Sequence, residues 1–363
     1  MDTDDDRLLM TPGPTAIPPS VRDAMARPIE NPDIESGFAD RYRSILGDLA
    51  TVYGTDDDVV VLGGEGMLGL EASVASIIEP GEEVLCLANG IFGEGFADLV
   101  ESHGGTAVVH REPYDSGFDI EAVKSLVEAH EFTAATMVHC ETPTGVLNDI
   151  EEILGVLQDA DVLTVVDAVS SLGGASVPTD RIDVCLGASQ KCLSSPPGLS
   201  TLSVSDGAWT KVEVTSPDGF YTSLEPWRDV GLEVEGPLQT PYTHLVSNLY
   251  ALEASLDRLL EAGLEAVYQR HERVAEQCRE RGRELGLEPF PATSELFSPT
   301  VTAFELEGRA ETVQPRLAEE HGIVVATSLG ELSDDILRIG HMGYSADPDR
   351  VERTMDALAA VLE

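Results

Sequence analysis

Apolar and polar positions alternate in blocks along the first half of the chain. Short runs rich in Val, Leu, Ile and Ala are bounded by polar residues or glycine, which is typical of buried strands; they cover 59–62, 84–88, 106–110, 134–140, 162–167, 184–188 and 199–204. Helix-like stretches lie between several of these runs, at 68–78, 120–129 and 150–157. This alternation predicts an α/β fold whose large domain is built on a mainly parallel, doubly wound, seven-stranded sheet.

The remaining segments predict an arm and a second, smaller domain. The prolines of residues 11–19 exclude regular structure there and favour an extended arm over residues 1–20. Residues 205–240 are rich in Gly and Pro and are expected to be irregular, with Trp209, Tyr221 and Trp227 suited to a subunit contact. Further along, the pattern predicts one long helix over 246–285, strands at 300–306 and 336–339, and helices at 310–320 and 347–361. We therefore expect a large domain of residues 21–262 and an α+β domain of residues 263–363.

The charge of the chain is strongly acidic. It has 66 acidic and 22 basic residues, a net charge of −44, and the acidic residues are spread along the whole length. Such self-repulsion is tolerable in concentrated salt, where the electrostatic screening length falls to about 3 Å. We expect a protein adapted to the salty cytoplasm of a halophile, with neither nucleic acid nor an anionic membrane as a partner.

The cysteines and the apolar runs indicate which kinds of protein can be excluded. The five cysteines form neither a CxxC motif nor a Cys/His metal-binding pattern, so we expect no metal site. The first six residues are polar and acidic, unlike a signal peptide, and no apolar run approaches the roughly 20 residues that span a bilayer. These features predict a cytoplasmic protein.

Lys191 is the most informative single residue. It is one of only three lysines and follows the predicted strand 184–188, while Asp167 ends the preceding apolar run. Ligands of open α/β sheets bind at the carboxyl ends of the strands, and Thr142 also follows a strand end. A lysine beside a buried carboxylate suits a Schiff base with a carbonyl compound and the protonation of a pyridine nitrogen.

The glycine-rich turn at residues 64–69 allows two interpretations. Its GxGxxG pattern follows a predicted strand and opens a helix, as in dinucleotide-binding folds. An NAD-dependent dehydrogenase would also need an acidic residue ending the next strand, but 84–88 is followed by Asn89. A helix N-terminus binds a single phosphate group equally well through its free N–H groups.

Longer motifs carry a family resemblance. They are CETPTGVL at 140–147, VDAVSSLGG at 166–174 and SQKCLSSPPG at 189–198, with PGP at 12–14, ANGIFG at 88–93 and LRIG at 337–340. These motifs resemble the class V, fold-type I pyridoxal-phosphate aminotransferases, in particular the alanine–glyoxylate or serine–pyruvate branch. They occur in the family's order across nearly the whole chain. The resemblance implies a fold-type I architecture with pyridoxal 5′-phosphate as the cofactor.

The resemblance also implies roles for individual residues. Lys191 would hold the cofactor and shuttle a proton, and burial would lower the pKa of its amine. Asp167 would pair with the pyridinium nitrogen, and Thr142 would donate to the phenolic oxygen of the cofactor. Arg338 would bind the substrate carboxylate through a bidentate contact, and Gly13 would let the arm approach the substrate.

The cofactor phosphate has fewer side-chain donors here than the family pattern supplies. Relatives usually have small hydroxyl residues or histidine where this chain has Glu65 and Met67, and a carboxylate beside a phosphate dianion is unfavourable. The phosphate would then depend on the backbone N–H groups of Gly66 and Met67, on Gln190, and on a threonine of a neighbouring subunit. Further residues implied at the cofactor are Phe92, stacked on the ring, and either Thr240 or Thr243 from the partner of a homodimer with shared active sites.

The expected reaction is a ping-pong transamination between a small amino acid, alanine or serine, and a small 2-oxo acid, glyoxylate or pyruvate. The first alternative is another fold-type I enzyme, a cysteine desulfurase or a lyase. A desulfurase needs a cysteine on a mobile loop, whereas Cys278 lies within the predicted helical run 271–284. An NAD-dependent dehydrogenase is the alternative from another class.

Overall fold

The computed structural model describes residues 7–215, 219–231 and 236–363. Residues 1–6 of the expected arm and residues 216–218 and 232–235 of the expected irregular stretch lie outside the described residues. The strands are β1 (Leu8–Leu9), β2 (Asp58–Gly63), β3 (Glu83–Ala88), β4 (Thr106–Arg111), β5 (Ala134–Val138), β6 (Cys140–Glu141), β7 (Val146–Leu147), β8 (Leu163–Asp167), β9 (Val184–Ala188), β10 (Leu199–Val204), β11 (Val301–Glu305), β12 (Ile323–Val324), β13 (Ala326–Thr327) and β14 (Ile336–Gly340). The α-helices are α1 (Pro19–Met25), α2 (Ser36–Tyr53), α3 (Gly66–Ile77), α4 (Ile91–Ser102), α5 (Ile120–Ala129), α6 (Glu151–Asp159), α7 (Asp206–Val214), α8 (Val246–Ala262), α9 (Leu264–Glu284), α10 (Ala310–His321) and α11 (Pro348–Leu362).

The central sheet confirms the predicted architecture. Its seven strands lie in the order β2-β10-β9-β8-β5-β3-β4. β3, β4, β5, β8 and β9 run parallel, whereas β10 is antiparallel to both of its neighbours, β9 and β2. The predicted strand over 134–140 is too long, because β5 ends at Val138 and the next residues form a separate ribbon of β6 and β7. The parallel core brings the ends of β5, β8 and β9 to the same edge.

Apolar side chains cover both faces of this sheet. Along β2, Val61 packs into one buried cluster with helix α2, while Val60 and Leu62 pack into the opposite cluster with helix α3. The same division holds along β8, where Val166 and Val165 point to different clusters. Because consecutive strand residues point to opposite faces, two-sided burial requires continuous apolar runs, which is the pattern in the sequence.

The C-terminal part contains a second, antiparallel sheet in the order β11-β14-β13. The single helix predicted over 246–285 is wrong, since α8 ends at Ala262 and α9 begins at Leu264. Gly263 between them has φ 79°, in the region that glycine adopts most easily. In the arm, β1 pairs with β12, so this part of the arm joins the C-terminal elements. The division into residues 1–20, 21–262 and 263–363 stays a prediction.

Part of the stretch 205–240 is helical, although its composition predicted irregular structure. Residues 206–214 form α7, begun by Ser205, whose hydroxyl accepts a hydrogen bond from the backbone of Ala208. Trp209 and Trp227 are 1% and 2% exposed and pack into the core, so neither is available for the subunit contact expected of them. Tyr221, at 55% exposed, remains available. No helix in the part of the chain that the structure describes is both long and apolar enough to cross a membrane.

Candidate active site

Side chains with complementary chemistry meet at the carboxyl ends of β8 and β9. Asp167 is the last residue of β8, and Lys191 lies in the loop that follows β9. The arm reaches this loop, because the backbone N–H of Thr15 donates to the carbonyl of Gln190 and its hydroxyl donates to that of Lys191. The topology therefore places Asp167 and Lys191 where the sequence predicted a ligand site.

The lysine side chain lies directly against the arm. Its Nζ donates a hydrogen bond to the carbonyl oxygen of Pro12 at 2.6 Å. Gly13 has φ +107°, and a Cβ atom on it would lie 2.8 Å from the lysine Nζ. Any larger residue at position 13 would displace the amine and strain the backbone. The arm therefore orients Lys191.

The surroundings of Lys191 favour a neutral amine. Burial lowers the pKa of its ammonium, and the positive charge of Arg338 lowers it further, while Asp167 acts in the opposite direction. A lysine can attack a carbonyl or accept a proton only as the free amine, so a lowered pKa suits both tasks.

Asp167 is a buried carboxylate, 6% exposed. Its Oδ1 accepts a hydrogen bond from the backbone N–H of Val169 at 2.8 Å. Burial raises its pKa to about 6, against the lowering effects of the Val169 N–H and of Lys191. A buried carboxylate is costly without a cation, so a protonated ring nitrogen is a suitable partner for it.

Arg338, on β14, contributes a buried guanidinium that is 7% exposed. Its Nε donates to the carbonyl of Thr327 at 2.7 Å, and one terminal nitrogen donates to the carbonyl of Thr142 at 3.3 Å. Burial lowers its pKa to about 10. No carboxylate forms an ion pair with Arg338 in residues 7–215, 219–231 and 236–363. A buried cation held only by carbonyls is suited to an external carboxylate.

Two site residues were missed by the sequence analysis. The hydroxyl of Ser170 is hydrogen-bonded to that of Thr142, so the two hydroxyls act together. Glu141 is fully buried, and its carboxylate accepts from the backbone N–H groups of Phe92 at 3.4 Å and Gly93 at 2.7 Å. Burial raises the pKa of Glu141 to about 8. It holds the first turn of α4 and with it Phe92; its place beside Thr142 in the 140–147 motif was the available signal.

The expected phosphate-binding site lies at the start of α3, where Glu65 is the N-cap residue. Its Oε2 accepts from the backbone N–H of Met67 at 3.0 Å, and its carbonyl accepts from Leu68 at 2.9 Å. Met67 was expected to offer its N–H to the phosphate, but in this structure Glu65 accepts it. Gly66 lies over the ends of β8 and β9, because a Cβ on it would be 3.4 Å from Val169 and 3.7 Å from Ala188.

The two candidate threonines have different surroundings. The hydroxyl of Thr240 donates to the carbonyl of Tyr242 at 2.8 Å within the same chain. Thr243 is exposed. Tyr242 accepts a hydrogen bond from the backbone N–H of Gly63, so this segment lies beside the turn that leads into α3. Thr243 is therefore the one with a side chain directed away from its own core.

The pocket suits one end of pyridoxal phosphate better than the other. At the ring end, the buried carboxylate of Asp167 suits a protonated pyridine nitrogen, and the neutral amine of Lys191 suits an aldehyde carbon. Gln190, which was expected at the phosphate, is buried, and its Oε1 has no hydrogen-bond partner in the described part of the chain. The carboxylate of Glu65 at the same end does not suit a dianion.

The geometry disfavours a dinucleotide-binding dehydrogenase and a cysteine desulfurase. β2, which precedes the glycine-rich turn, is an edge strand that pairs with antiparallel β10, whereas a dinucleotide-binding turn follows a strand within a parallel sheet. Cys278 is fully buried in α9, and burial raises the pKa of its thiol to about 12. A thiol in that setting cannot serve as the mobile nucleophile of a desulfurase.

Comparisons with known proteins extend over nearly the whole chain. Residues 8–338 match the family model for aminotransferase class V. The chain is 37% identical over 349 residues to an uncharacterised aminotransferase of Methanocaldococcus jannaschii, covering 94% of this chain and 89% of that protein. It is 31% identical over 362 residues to the pyridoxamine–pyruvate transaminase of Mesorhizobium japonicum, covering 98% and 91%. The solved alanine–glyoxylate aminotransferase from Nostoc sp. superposes with a TM-score of 0.94 at 28% identity, covering 100% and 97% of the two chains.

Proposed function

The chain belongs to the class V aminotransferase family and is a transaminase with the fold-type I architecture and pyridoxal phosphate as its cofactor, and from this we propose its substrates. The amino donor is a small amino acid, alanine or serine, and the acceptor is a small 2-oxo acid, glyoxylate or pyruvate. Two of the similar proteins support the acceptor, because their names give pyruvate in one case and glyoxylate in the other. The same names give different donors, pyridoxamine and alanine.

The buried guanidinium of Arg338 is the observation that carries this proposal. It lies close enough to Lys191 to lower the pKa of the lysine, and its contacts in the described residues are backbone carbonyls. Amino acids and 2-oxo acids share an α-carboxylate, and a guanidinium binds a carboxylate through two parallel hydrogen bonds. A substrate held in this way would present its α-carbon to the amine of Lys191.

The side chains divide the work of transamination among them. The bound cofactor supplies a pyridine ring that withdraws electrons from the substrate α-carbon. Asp167 would hold a protonated ring nitrogen, and Lys191 would hold the cofactor aldehyde and, as a free amine, move a proton at the substrate α-carbon. Arg338 orients both substrates in turn, which suits a ping-pong exchange through one site.

Replacing Arg338 with glutamine should weaken the use of both substrates. The variant keeps a hydrogen-bonding amide but loses the charge, so we expect kcat/KM for glyoxylate and for alanine to fall by roughly 10²-fold, about 3 kcal/mol. Steady-state kinetics of alanine with glyoxylate measure this effect. Arg309→Gln removes a charge from an exposed side chain of the same C-terminal part and should leave kcat/KM unchanged. Equal kinetics for the Arg338 variant and the wild type would refute the substrate class.

We also propose that the working unit is a homodimer with shared active sites. Phe220, Tyr221, Tyr242 and Leu245 form an aromatic face, in which the rings of Tyr221 and Tyr242 stack at 4.6 Å. Phe220 and Tyr221 are 60% and 55% exposed, although large apolar side chains are usually buried. This aromatic face borders Gly63 and the start of α3, so a second copy seated on it would meet the phosphate end of the pocket.

Adaptation to salt is proposed on the charge of the chain. The net charge of −44 requires screening before two such subunits can associate. The five cysteines of the chain are all free and buried, which supports the reducing environment of a cytoplasm. We therefore place the dimer in a cytoplasm of high salt concentration.

In molar potassium chloride we expect sedimentation at the mass of two chains, and in dilute buffer we expect dissociation with a lower melting temperature. Sedimentation velocity and thermal melts over a salt series measure both.

Within the dimer, the Thr243→Val variant should lose its cofactor faster than the wild type in dialysis. The Thr240→Val variant should not, because the Thr240 hydroxyl forms its hydrogen bond within its own chain. A salt-independent monomer would exclude both the shared site and the halophilic adaptation.

A further inference from the structure

We propose that the pocket prefers an unphosphorylated pyridine amine, which carries a hydroxymethyl group where the cofactor has its phosphate ester, and uses it as an amino donor. This rests on the proposed function, since the acceptor is the same 2-oxo acid bound by the same Arg338. The proposal names the donor class for the site already described. It is carried by Glu65 and by the charges around it.

Glu65 competes with a phosphate for the same N–H groups. A phosphate at the start of a helix accepts hydrogen bonds from the N–H groups of the first turn. Here the carboxylate of Glu65 accepts from Met67 at 3.0 Å and its carbonyl accepts from Leu68 at 2.9 Å. A cofactor phosphate would have to displace this carboxylate and remain beside its negative charge.

The lysines offer no compensating charge at this position. Lys211 pairs with Glu79 and Glu82, and the Nζ of Lys191 is directed to Pro12. The third lysine, at position 124, pairs with acidic residues of α5 and α6. Glu65 itself has no ion pair in the parts of the chain that the structure describes. Its charge therefore acts on the phosphate without a neutralising cation.

A hydroxymethyl group suits the same surroundings. Its O–H can donate to a carboxylate, whereas a phosphate dianion has only acceptor oxygens. Gln190 adds a second acceptor, because its buried Oε1 lacks a hydrogen-bond partner among the described residues. A hydroxyl can donate to one of these acceptors, the Glu65 carboxylate or the Gln190 carbonyl, whereas a phosphate dianion can donate to neither.

The ring end of the pocket is unaffected by this change. Asp167 and Lys191 act on the pyridine nitrogen and on the carbon that bears the amine, and both atoms are present with or without phosphate. In the net reaction, the nitrogen moves from the aminomethyl carbon to the keto carbon, and the keto oxygen is exchanged for it. The aminomethyl carbon is oxidised to an aldehyde while the keto carbon is reduced to an amino carbon, so no external oxidant is needed.

Binding measurements on protein freed of cofactor test the preference. Dissociation constants for pyridoxal and for pyridoxal phosphate are obtained from the absorbance of their adducts with Lys191. Substitution Glu65→Gln keeps the size of the side chain and removes its charge, so we expect the affinity for pyridoxal phosphate relative to pyridoxal to rise at least 10-fold. Glu71→Gln, on a partly exposed residue of the same helix, should leave the ratio at its wild-type value. An unchanged ratio in the Glu65 variant, with a melting temperature like that of the control, would overturn the proposal.

A second assay follows the donor reaction itself. Wild-type protein mixed with pyridoxamine and pyruvate should produce pyridoxal and alanine in equal amounts, and absence of pyridoxal would contradict the donor assignment. Alanine and glyoxylate, assayed in parallel on the protein loaded with pyridoxal phosphate, test the proposed function separately. Activity with alanine but not with pyridoxamine would overturn only the donor assignment, whereas inactivity with both pairs would overturn the proposed function.

Discussion

Replacing Lys191 with alanine should reduce transamination by roughly 10⁴-fold or more. In the proposed mechanism this amine both holds the cofactor aldehyde and moves the proton, and the described site offers no second amine, since the other two lysines pair with surface carboxylates. The substitution leaves the hydrophobic core intact, because the Nζ of Lys191 contacts the arm through one hydrogen bond to Pro12. We therefore expect a folded protein that still holds cofactor without a covalent bond.

The measurement is turnover of alanine and glyoxylate, together with fixation of the cofactor by borohydride. Borohydride should attach the cofactor to Lys191 in the wild type and to no residue in the variant. Lys124→Ala is the matched control, because that lysine lies on the surface in pairs with Glu121 and Glu152. Near-native turnover of the Lys191 variant without added amines would show that the assignment is wrong.

Replacing Asp167 with asparagine should lower the rate at least about 10³-fold, about 4 kcal/mol. The amide has the same size but cannot stabilise a protonated ring nitrogen. Burial raises the pKa of the carboxylate to about 6 in the free protein, so the ionised form dominates at pH 7 and is lost below pH 6. Binding of pyridoxal phosphate by the cofactor-free protein should therefore weaken as the pH falls through about 6, and the variant should lack this step.

Asp161→Asn provides the control for this variant. Asp161 is exposed just before β8 and has φ 56°, a conformation that asparagine also tolerates. It should leave the rate and the pH dependence of cofactor binding as in the wild type. Unchanged turnover of Asp167→Asn, or a weakening of binding at low pH that survives the substitution, would exclude the role at the ring nitrogen.

Several decisive features are determined locally by the sequence. The strands are buried on both faces, so each appears as a continuous apolar run, and the end of such a run marks the edge of the sheet. This is why the sequence alone predicts that Asp167 and Lys191 are neighbours. The unfavourable Glu65 was also visible, because helix N-termini follow local rules that a glycine-rich turn displays.

Other features depend on contacts between distant parts of the chain. Glu141 binds the first turn of α4, and Ser170 contacts Thr142, and these partners lie far apart in the chain. The burial of Trp209 depends on the packing of α7 against the sheet. The composition of residues 205–240 does not reveal this packing, and it suggested a surface role for Trp209. Contacts of this kind are selected by the fold as a whole.

The sequence by itself determined the class of fold and the neighbouring positions of Lys191 and Asp167, because buried strands and their ends are visible in the local pattern of hydrophobicity and charge. Only the tertiary structure decided that β10 runs antiparallel, that Gly263 divides the long helix, and that Arg338 is held by the carbonyls of Thr327 and Thr142. Strand direction, helix breaks and the partners of a buried charge are settled by packing between segments far apart in the chain. The free energy that selects them belongs to those contacts and not to any single segment.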